Sequence, residues 1–403
     1  MTSLSSKASA LTESLEAFVA ESSGSLDSLD PEIRRKLSEA ARKVNRVTEA
    51  TGDTVHRIIH TPLELSLAAV GVETRLFEIL VEHKEEPTTT AELASKTKID
   101  PVLLKRLLRY YQSFGMIDQL TDDQYQANNI TSALVSPGGA AGVPFYLATL
   151  TPAFIAIPQF LRENNYANIV DGAHSPWYIG QRTDLEPFKW LYSRPDMLKY
   201  FMTWMINQRD GLPTFLDVVD FKKEFGSQGV DEKTPVFVDI GGNMGHQCVA
   251  LRQKYPDLVG RVILQDQEQV IQQATTASIP GFKDIETQVY NFFTPQPIKG
   301  ARAYYLRNIL HDWPDHKCVE ILKNIKSAMT QDSRILIDEM VLPEKGAPWR
   351  ATQLDLAMGS TMAAMERSRA DWDSLLGQAG LKILDVWKYT EQLDDSIIVV
   401  VPN

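Results

Sequence analysis

The sequence predicts an α/β protein whose chemistry sits on a doubly wound, mostly parallel sheet, preceded by helical regions. Three observations predict it. From Thr234 onward seven short β-rich runs appear (VFVDI, RVILQ, ETQVY, RAYYL, RILIDEM, LKILDVW and SIIVVVP). The first five are separated by helical stretches, the pattern of right-handed crossovers between parallel strands. A glycine loop, DIGGNMGH from Asp239 to His246, lies between the first run and a helix. Finally, ARAYYLRNILHDWPDHKC (Ala301 to Cys318) reads as a buried strand running straight into a loop with His311, Asp312 and Trp313. Open α/β sheets place their ligands just past the carboxyl ends of strands. The last two runs are joined by TEQLDD without a helix, so an antiparallel edge pair is expected to close the sheet.

With 403 residues the chain exceeds one compact core, and two or three domains are expected. Its formal net charge is −11, and no long basic run interrupts it. A polyanionic partner is therefore not expected, because neutralising phosphates requires clustered Lys and Arg. Cys248 and Cys318 each fall on an apolar helix face and read as reduced core residues, neither a disulfide nor a metal pair. The N-terminal stretch lacks the apolar core of a signal peptide, and no segment reads as long enough to span a bilayer. A soluble, cytoplasmic protein is the expectation.

Four regions follow in order. Residues 1–60 read as a helical arm: Asp30-Pro31 is a cap with proline at the first helical position, and Ile33, Leu37, Ala41, Val44 and Val47 repeat at helical spacing. Residues 61–135 read as a winged helix-turn-helix: a long helix from Leu63 to Leu80, the short helix AELASKTKI, a third helix opening at Asp100-Pro101, and the hairpin DQLTDDQYQAN. The third helix carries Lys105, Arg106 and Arg109 but also Leu103, Leu104, Leu107, Leu108, Tyr110 and Tyr111, more apolar surface than a groove-reading helix shows. Packing and dimerisation are therefore expected of this region. Residues 136–233 form a helical linker rich in large side chains, and Met197 to Met205 (MLKYFMTWM) is its best substrate-wall candidate, through Phe201, Met202 and Met205. Residues 234–403 hold the sheet.

The glycine loop does not follow the dinucleotide spacing. It fits an acid-x-G-x-G-x-G loop in which Asn243 replaces the middle glycine, and asparagine tolerates positive φ best among the other residues. Asp266, ending the second run, is placed to accept from two ribose hydroxyls. On the DIGGNMGH and ARAYYLRNILHDWPD motifs, residues 60–403 resemble the class I S-adenosylmethionine-dependent O-methyltransferases of secondary metabolism, of the caffeate and flavonoid type. The resemblance implies a Rossmann-like methyltransferase sheet, a homodimer and a small aromatic or polyketide-like substrate. It also implies an S-adenosyl-L-methionine site on Asp239, Gly241, Gly242, Gly245, Asp266, Asn291, Phe292 and Arg307. Asn291 stands where the family usually has an aspartate; its amide oxygen is expected to accept from the adenine amino group in place of a carboxylate.

The resemblance further implies His311 as general base, flanked by Glu339 and Glu366. Histidine suits this work because its pKa lies near working pH, and the two acids are expected to orient the ring and stabilise the imidazolium. Trp313 and the methionines Met358, Met362 and Met365, read as one helical face, are expected to wall the substrate. His246 reads as a packed helix-start residue. O-methylation of a phenolic or enolic hydroxyl is the leading expectation. The alternative is a dehydratase or pericyclase that keeps the fold and the cofactor without transferring methyl.

Overall fold

The computed structural model describes residues 3–21, 29–83, 86–209, 211–226, 229–277 and 279–403. The chain divides into two compact units, Met1–Ser66 and Leu67–Asn403. The first is helical, with helices Leu4–Glu21 and Pro31–Thr48 and most of a third, Thr51–Glu73, which runs through Pro62. Residues 22–28 of the expected arm lie outside the described residues. Asp30 caps its helix as the sequence predicts, one carboxylate oxygen accepting from the amides of Glu32 and Ile33 at 3.0 Å each. No residue of the Pro31–Thr48 helix is buried within the chain, and on its apolar stripe Ile33 is 56% and Val47 82% exposed.

The second unit opens with a departure from expectation. The single helix expected over Leu63–Leu80 is split, because the chain reverses at Arg75 (φ +60°) and restarts as Leu76–Glu82. Gly71 permits the close return: a Cβ there would lie 2.2 Å from the ring of Phe77. Helices Thr90–Thr97 and Pro101–Ser113 and a hairpin of Asp118–Thr121 with Gln124–Gln126 follow in the expected order. Leu104, Leu107, Leu108 and Tyr111 pack into one core with Phe77 and Leu80, while Lys105, Arg106 and Arg109 stay exposed.

Pro137–Glu163 is one continuous helical run of 27 residues with a π-helical turn at Tyr146–Leu150. By length and hydropathy it could cross a bilayer, which corrects the sequence expectation that no segment could. Packing explains much of its apolar surface: Gly142 meets the indole of Trp204, and Pro152 and Ala153 meet the backbone of Gly180. Phe145, Trp177, Trp190 and Leu191 form the buried centre of this region.

The sheet contains all seven expected strands: β1 Pro235–Ile240, β2 Arg261–Asp266, β3 Glu286–Val289, β4 Ala303–Arg307, β5 Arg334–Leu342, β6 Leu381–Lys388 and β7 Asp395–Pro402. Their order is β3-β2-β1-β4-β5-β7-β6, with a two-residue strand, Arg367–Ser368, alongside β5. The first five strands are parallel, and β7 runs antiparallel to both β5 and β6. Alternate residues face opposite cores. Val238, Tyr304, Leu306, Ile335 and Ile337 pack on one side with Cys318, Leu322 and Trp372. Phe237, Leu264, Tyr305 and Leu336 pack on the other with Phe215, Cys248 and Leu251. Both cysteines are free and buried. This double burial fixes which strand ends share one rim, and β1, β2, β4 and β5 bring their carboxyl ends together there.

Candidate active site

Two features meet on that rim: a cleft beside the glycine loop and a histidine among carboxylates. The loop after β1 takes left-handed conformations at Gly241 (φ +73°), Asn243 (φ +53°) and Gly245 (φ +75°), so Asn243 adopts the backbone form for which an asparagine is suited. Gly242 lies flat on its own strand end; a Cβ there would sit 2.4 Å from the carboxyl group of Asp239. Asp239 is buried, and that burial pushes its carboxyl up to about 7, with the Cys248 thiol 3.6 Å away opposing the rise. Asp239 therefore supports the loop from beneath.

Asp266 ends β2 and ties the loop down. Its Oδ2 accepts from the amide of Asn243 at 2.9 Å, and its Oδ1 accepts from the amide of Gln267 at 2.7 Å. A cleft of about 390 Å³ opens beside it, bounded by Gly241 and Asp266 on one side and by Tyr290, Asn291, Phe292, Phe293 and Trp313 on the other. The rings of Phe292 and Phe293 meet Trp313 edge-on, at 6.0 and 4.9 Å between centroids. Trp313 was expected on the substrate side, but these contacts put it in the wall of the glycine-loop cleft. Asn291 likewise differs in detail, since its Oδ1 already accepts from the amide of Phe293 at 3.0 Å and has one lone pair left to offer. An acceptor at the ribose end, an aromatic wall and a bare-backbone loop fit an adenosine-bearing cofactor. Asn243 Oδ1, buried without a hydrogen-bond partner, leaves the loop a further acceptor.

Arg307 ends β4 and faces Asp338, its Nε 3.6 Å from Oδ2. Tyr305 and Tyr389 donate to the same carboxylate, and this buried acid group raises the guanidinium's pKa against the cost of burial. His246 opens the next helix and is exposed rather than packed.

His311 sits in a single turn of 3₁₀ helix, Leu310–Asp312, and is buried. Its Nδ1 is 2.7 Å from Glu366 Oε1, and its Nε2 is 3.5 Å from Asp312 Oδ1. Glu339 was expected to touch the ring as well, yet its Oε1 accepts from the backbone amides of Ile309 and Leu310 at 3.0 and 2.6 Å. It holds the loop, not the imidazole, because those amides project at the end of β5 where Glu339 stands. Its Oε2 is buried without a partner. Burial raises Glu339 to about 7 and Asp312 to about 6, with His311 opposing both. For His311 burial alone favours the neutral ring, but Glu366, Asp312 and Glu339 together raise it to about 10. The three carboxylates thus favour the charged ring against the cost of burying it.

The substrate-wall candidates fall in two groups. Phe201 and Met358 share a cluster with Phe145, and Met358 and Met362 lie part-buried on the Trp349–Met362 helix. That helix stops there, with Ala363 left-handed at φ +53°, so Met365 does not continue its face. Met202 is half-buried, whereas Met205 is exposed and its sulfur accepts from Gln208 Nε2 at 3.0 Å. In the sequence Arg367 reads only as an ion-pair partner for Glu366 on a solvated helix start; here it is one of the largest fully buried side chains and pairs with Asp315. No local signal marked it, since Glu366, Ser368 and Arg369 flank it in sequence and only the pairing with β5 buries it.

Comparison with known proteins accords with this geometry. A family model for the O-methyltransferase domain matches residues 227–382, and one for the O-methyltransferase dimerisation domain matches residues 67–137. The chain is 39% identical over 357 residues to O-methyltransferase lepI of Aspergillus flavus, spanning 89% of this chain and 91% of that one. It is 37% identical over 370 residues to demethylsterigmatocystin 6-O-methyltransferase of Aspergillus parasiticus, spanning 92% and 93%. A solved structure described as a pericyclic reaction enzyme matches with a TM-score of 0.88 at 36% identity, over 98% of this chain and all of that one. LepI in complex with S-adenosylmethionine matches equally, with a TM-score of 0.88 at 36% identity over the whole of both chains. The chain belongs to the class I S-adenosylmethionine-dependent O-methyltransferase family of secondary metabolism, and S-adenosyl-L-methionine is its cofactor.

Proposed function

We propose that this protein methylates a phenolic or enolic hydroxyl of an aromatic, polyketide-like natural product, with His311 as general base. The observation that carries the reading is the close contact between His311 Nδ1 and Glu366. Glu366 takes Nδ1–H at 2.7 Å, which fixes the tautomer and leaves Nε2 as the nitrogen able to accept a proton. When bound, S-adenosylmethionine supplies an electrophilic methyl group on a sulfonium. His311 Nε2 takes the hydroxyl proton as the oxygen attacks, and Glu366 stabilises the resulting imidazolium. Phe201, Met358 and Met362 supply an apolar wall suited to a flat ring.

A second reading has one observation in its favour. A histidine set between the carboxylates of Glu366 and Asp312, which favour its charged form, can donate a proton to a departing hydroxyl, which is what a dehydratase or a proton-assisted pericyclase needs. The similarity to a pericyclic reaction enzyme adds to it. The test is to incubate the purified protein and S-adenosylmethionine with a panel of phenolic and enolic metabolites, following S-adenosylhomocysteine and product mass together. Stoichiometric S-adenosylhomocysteine with a mass gain of one methylene is expected. A metabolite consumed without either sinks the methyltransferase reading in favour of the second.

The exposed stripe on Pro31–Thr48 and the dimerisation-domain match support a two-fold homodimer. Light scattering at micromolar concentration is expected to return twice the chain mass of 45.3 kDa. A stable monomer defeats this.

A further inference from the structure

The side chain next to Glu366 points away from His311 and grips the backbone on both sides of it. Arg367 is 1% exposed. Its Nη1 donates to the carbonyl of Leu310 at 3.1 Å, and its Nη2 donates to the carbonyl of Trp313 at 3.1 Å. Nε and Nη2 also reach Asp315 Oδ1, at 3.1 and 2.8 Å. The guanidinium carbon lies 5.3 Å from the ring centre of Trp372, which closes the far face. Its backbone pairs with Val341 of β5, two residues beyond Glu339. The end of β5 thus holds the histidine turn twice: Glu339 accepts its leading amides, and Arg367 donates to the carbonyls that bracket His311 and Asp312.

We propose that Arg367 is the positioning residue of the histidine: by tying both bracketing carbonyls to the segment that carries Glu366, it sets the Glu366–His311 contact. The planar fork is what makes this possible. Two carbonyls and a carboxylate lie around one guanidinium, and an ammonium group cannot present donors to all three in one plane. Asp315 is half exposed, so the ion pair with it contributes little. The carbonyl bonds are buried and carry the effect. The groups facing His311 are Glu366, Asp312 and Glu339, with Asp355 and Arg367 behind the acids. The proposal rests on His311 as the reacting group and holds whether the ring acts as base or acid.

The experiment reads the ring directly. Wild type, Arg367→Lys, Arg367→Gln and Asp315→Asn are labelled with ¹³C-histidine, and the His311 signal among 7 histidines is assigned by its loss in His311→Gln. In Arg367→Lys and Arg367→Gln the proton affinity of His311 is expected to drop at least about tenfold, one pKa unit. Asp315→Asn, which leaves both carbonyl bonds, is expected to titrate as wild type. Calorimetric affinity for S-adenosylmethionine is expected to stay within about threefold in Asp315→Asn, because the glycine loop, Asp266 and both carbonyl bonds are untouched. Once a substrate is in hand, kcat is expected to fall about 10²-fold in Arg367→Lys, the cost of a displacement near 1 Å, with KM little changed. A wild-type His311 titration in a folded Arg367→Lys or Arg367→Gln overturns the proposal. Should both variants fail to fold, Glu366→Gln paired with Cys318→Ala decides it. Cys318 lies 3.4 Å from Nη2 and its thiol meets the same two carbonyls. Loosening that clamp is expected to lower His311 proton affinity in wild type but not in the Glu366→Gln background. Additive effects overturn it. Wild type that forms no S-adenosylhomocysteine removes the methyl-transfer reading, while the His311 titration still decides the role of Arg367.

Discussion

Replacing His311 with glutamine is expected to lower turnover by about 10²–10⁴-fold while S-adenosylmethionine still binds. The glutamine amide can occupy the imidazole's place and hydrogen-bond Glu366, but it takes no proton near neutrality, and a positioned base is worth that range. The glycine-loop cleft, the site expected for the cofactor, is bounded by Gly241, Asp266 and the Phe292–Phe293–Trp313 wall and not by His311, so affinity should hold. For a phenol, raising the pH should partly restore the variant, since phenolate then forms in solution with a pKa near 10. Steady-state rates from pH 7 to 10 check this. A variant within a few-fold of wild type removes His311 from the chemistry.

The same substitution has a thermodynamic signature. His311 is raised from 6.5 to about 10 on folding, so its charged ring stabilises the folded chain fully below about pH 6.5. That contribution declines as pH rises and is lost through about 10. Glu339, raised from 4.5 to about 7, acts in the same direction: its protonated form stabilises below 4.5 and the effect is gone above about 7. The stability advantage of wild type over His311→Gln is therefore expected to shrink between pH 7 and 10, measured by denaturant melts. An advantage that grows with pH contradicts the charge assignment.

Asp266→Ala is expected to weaken S-adenosylmethionine binding by at least about tenfold, each factor of ten being about 1.4 kcal/mol. Two losses add. The carboxylate is the acceptor expected for the ribose hydroxyls, and charge-assisted bonds of that kind are worth about 1.5–3 kcal/mol. It also holds the amides of Asn243 and Gln267, and without it the glycine loop loses the bond that anchors its left-handed turn. Circular dichroism should show an intact fold, since Asp266 sits at the end of β2 and outside both cores of the sheet. Calorimetry showing unchanged affinity takes Asp266 out of the site.

What the sequence determined by itself was local in origin. Runs of β-branched and aromatic residues set the strands: the inner ones, buried on both faces, are continuous apolar stretches, while the edge strands β3 and β6 are partly exposed. Asp30 and Asp100 announced their helix starts, and glycines with Asn243 announced the loop, since each is a property of one residue's own backbone. The place of His311 at a strand end was equally legible. Tertiary structure decided the rest: that Glu366 and not Glu339 meets the ring, that Trp313 walls the glycine-loop cleft, that Leu63–Leu80 breaks to lay Phe77 on Gly71, and that Arg367 grips the histidine turn. Glu366 is 55 residues from His311 and Arg367 is 57 from Leu310. Spacing along the chain cannot say which way a side chain turns when such segments meet. That choice is made by the register of Arg367 on β5 and by the buried donors and acceptors around it, each of which must find a partner once water is excluded.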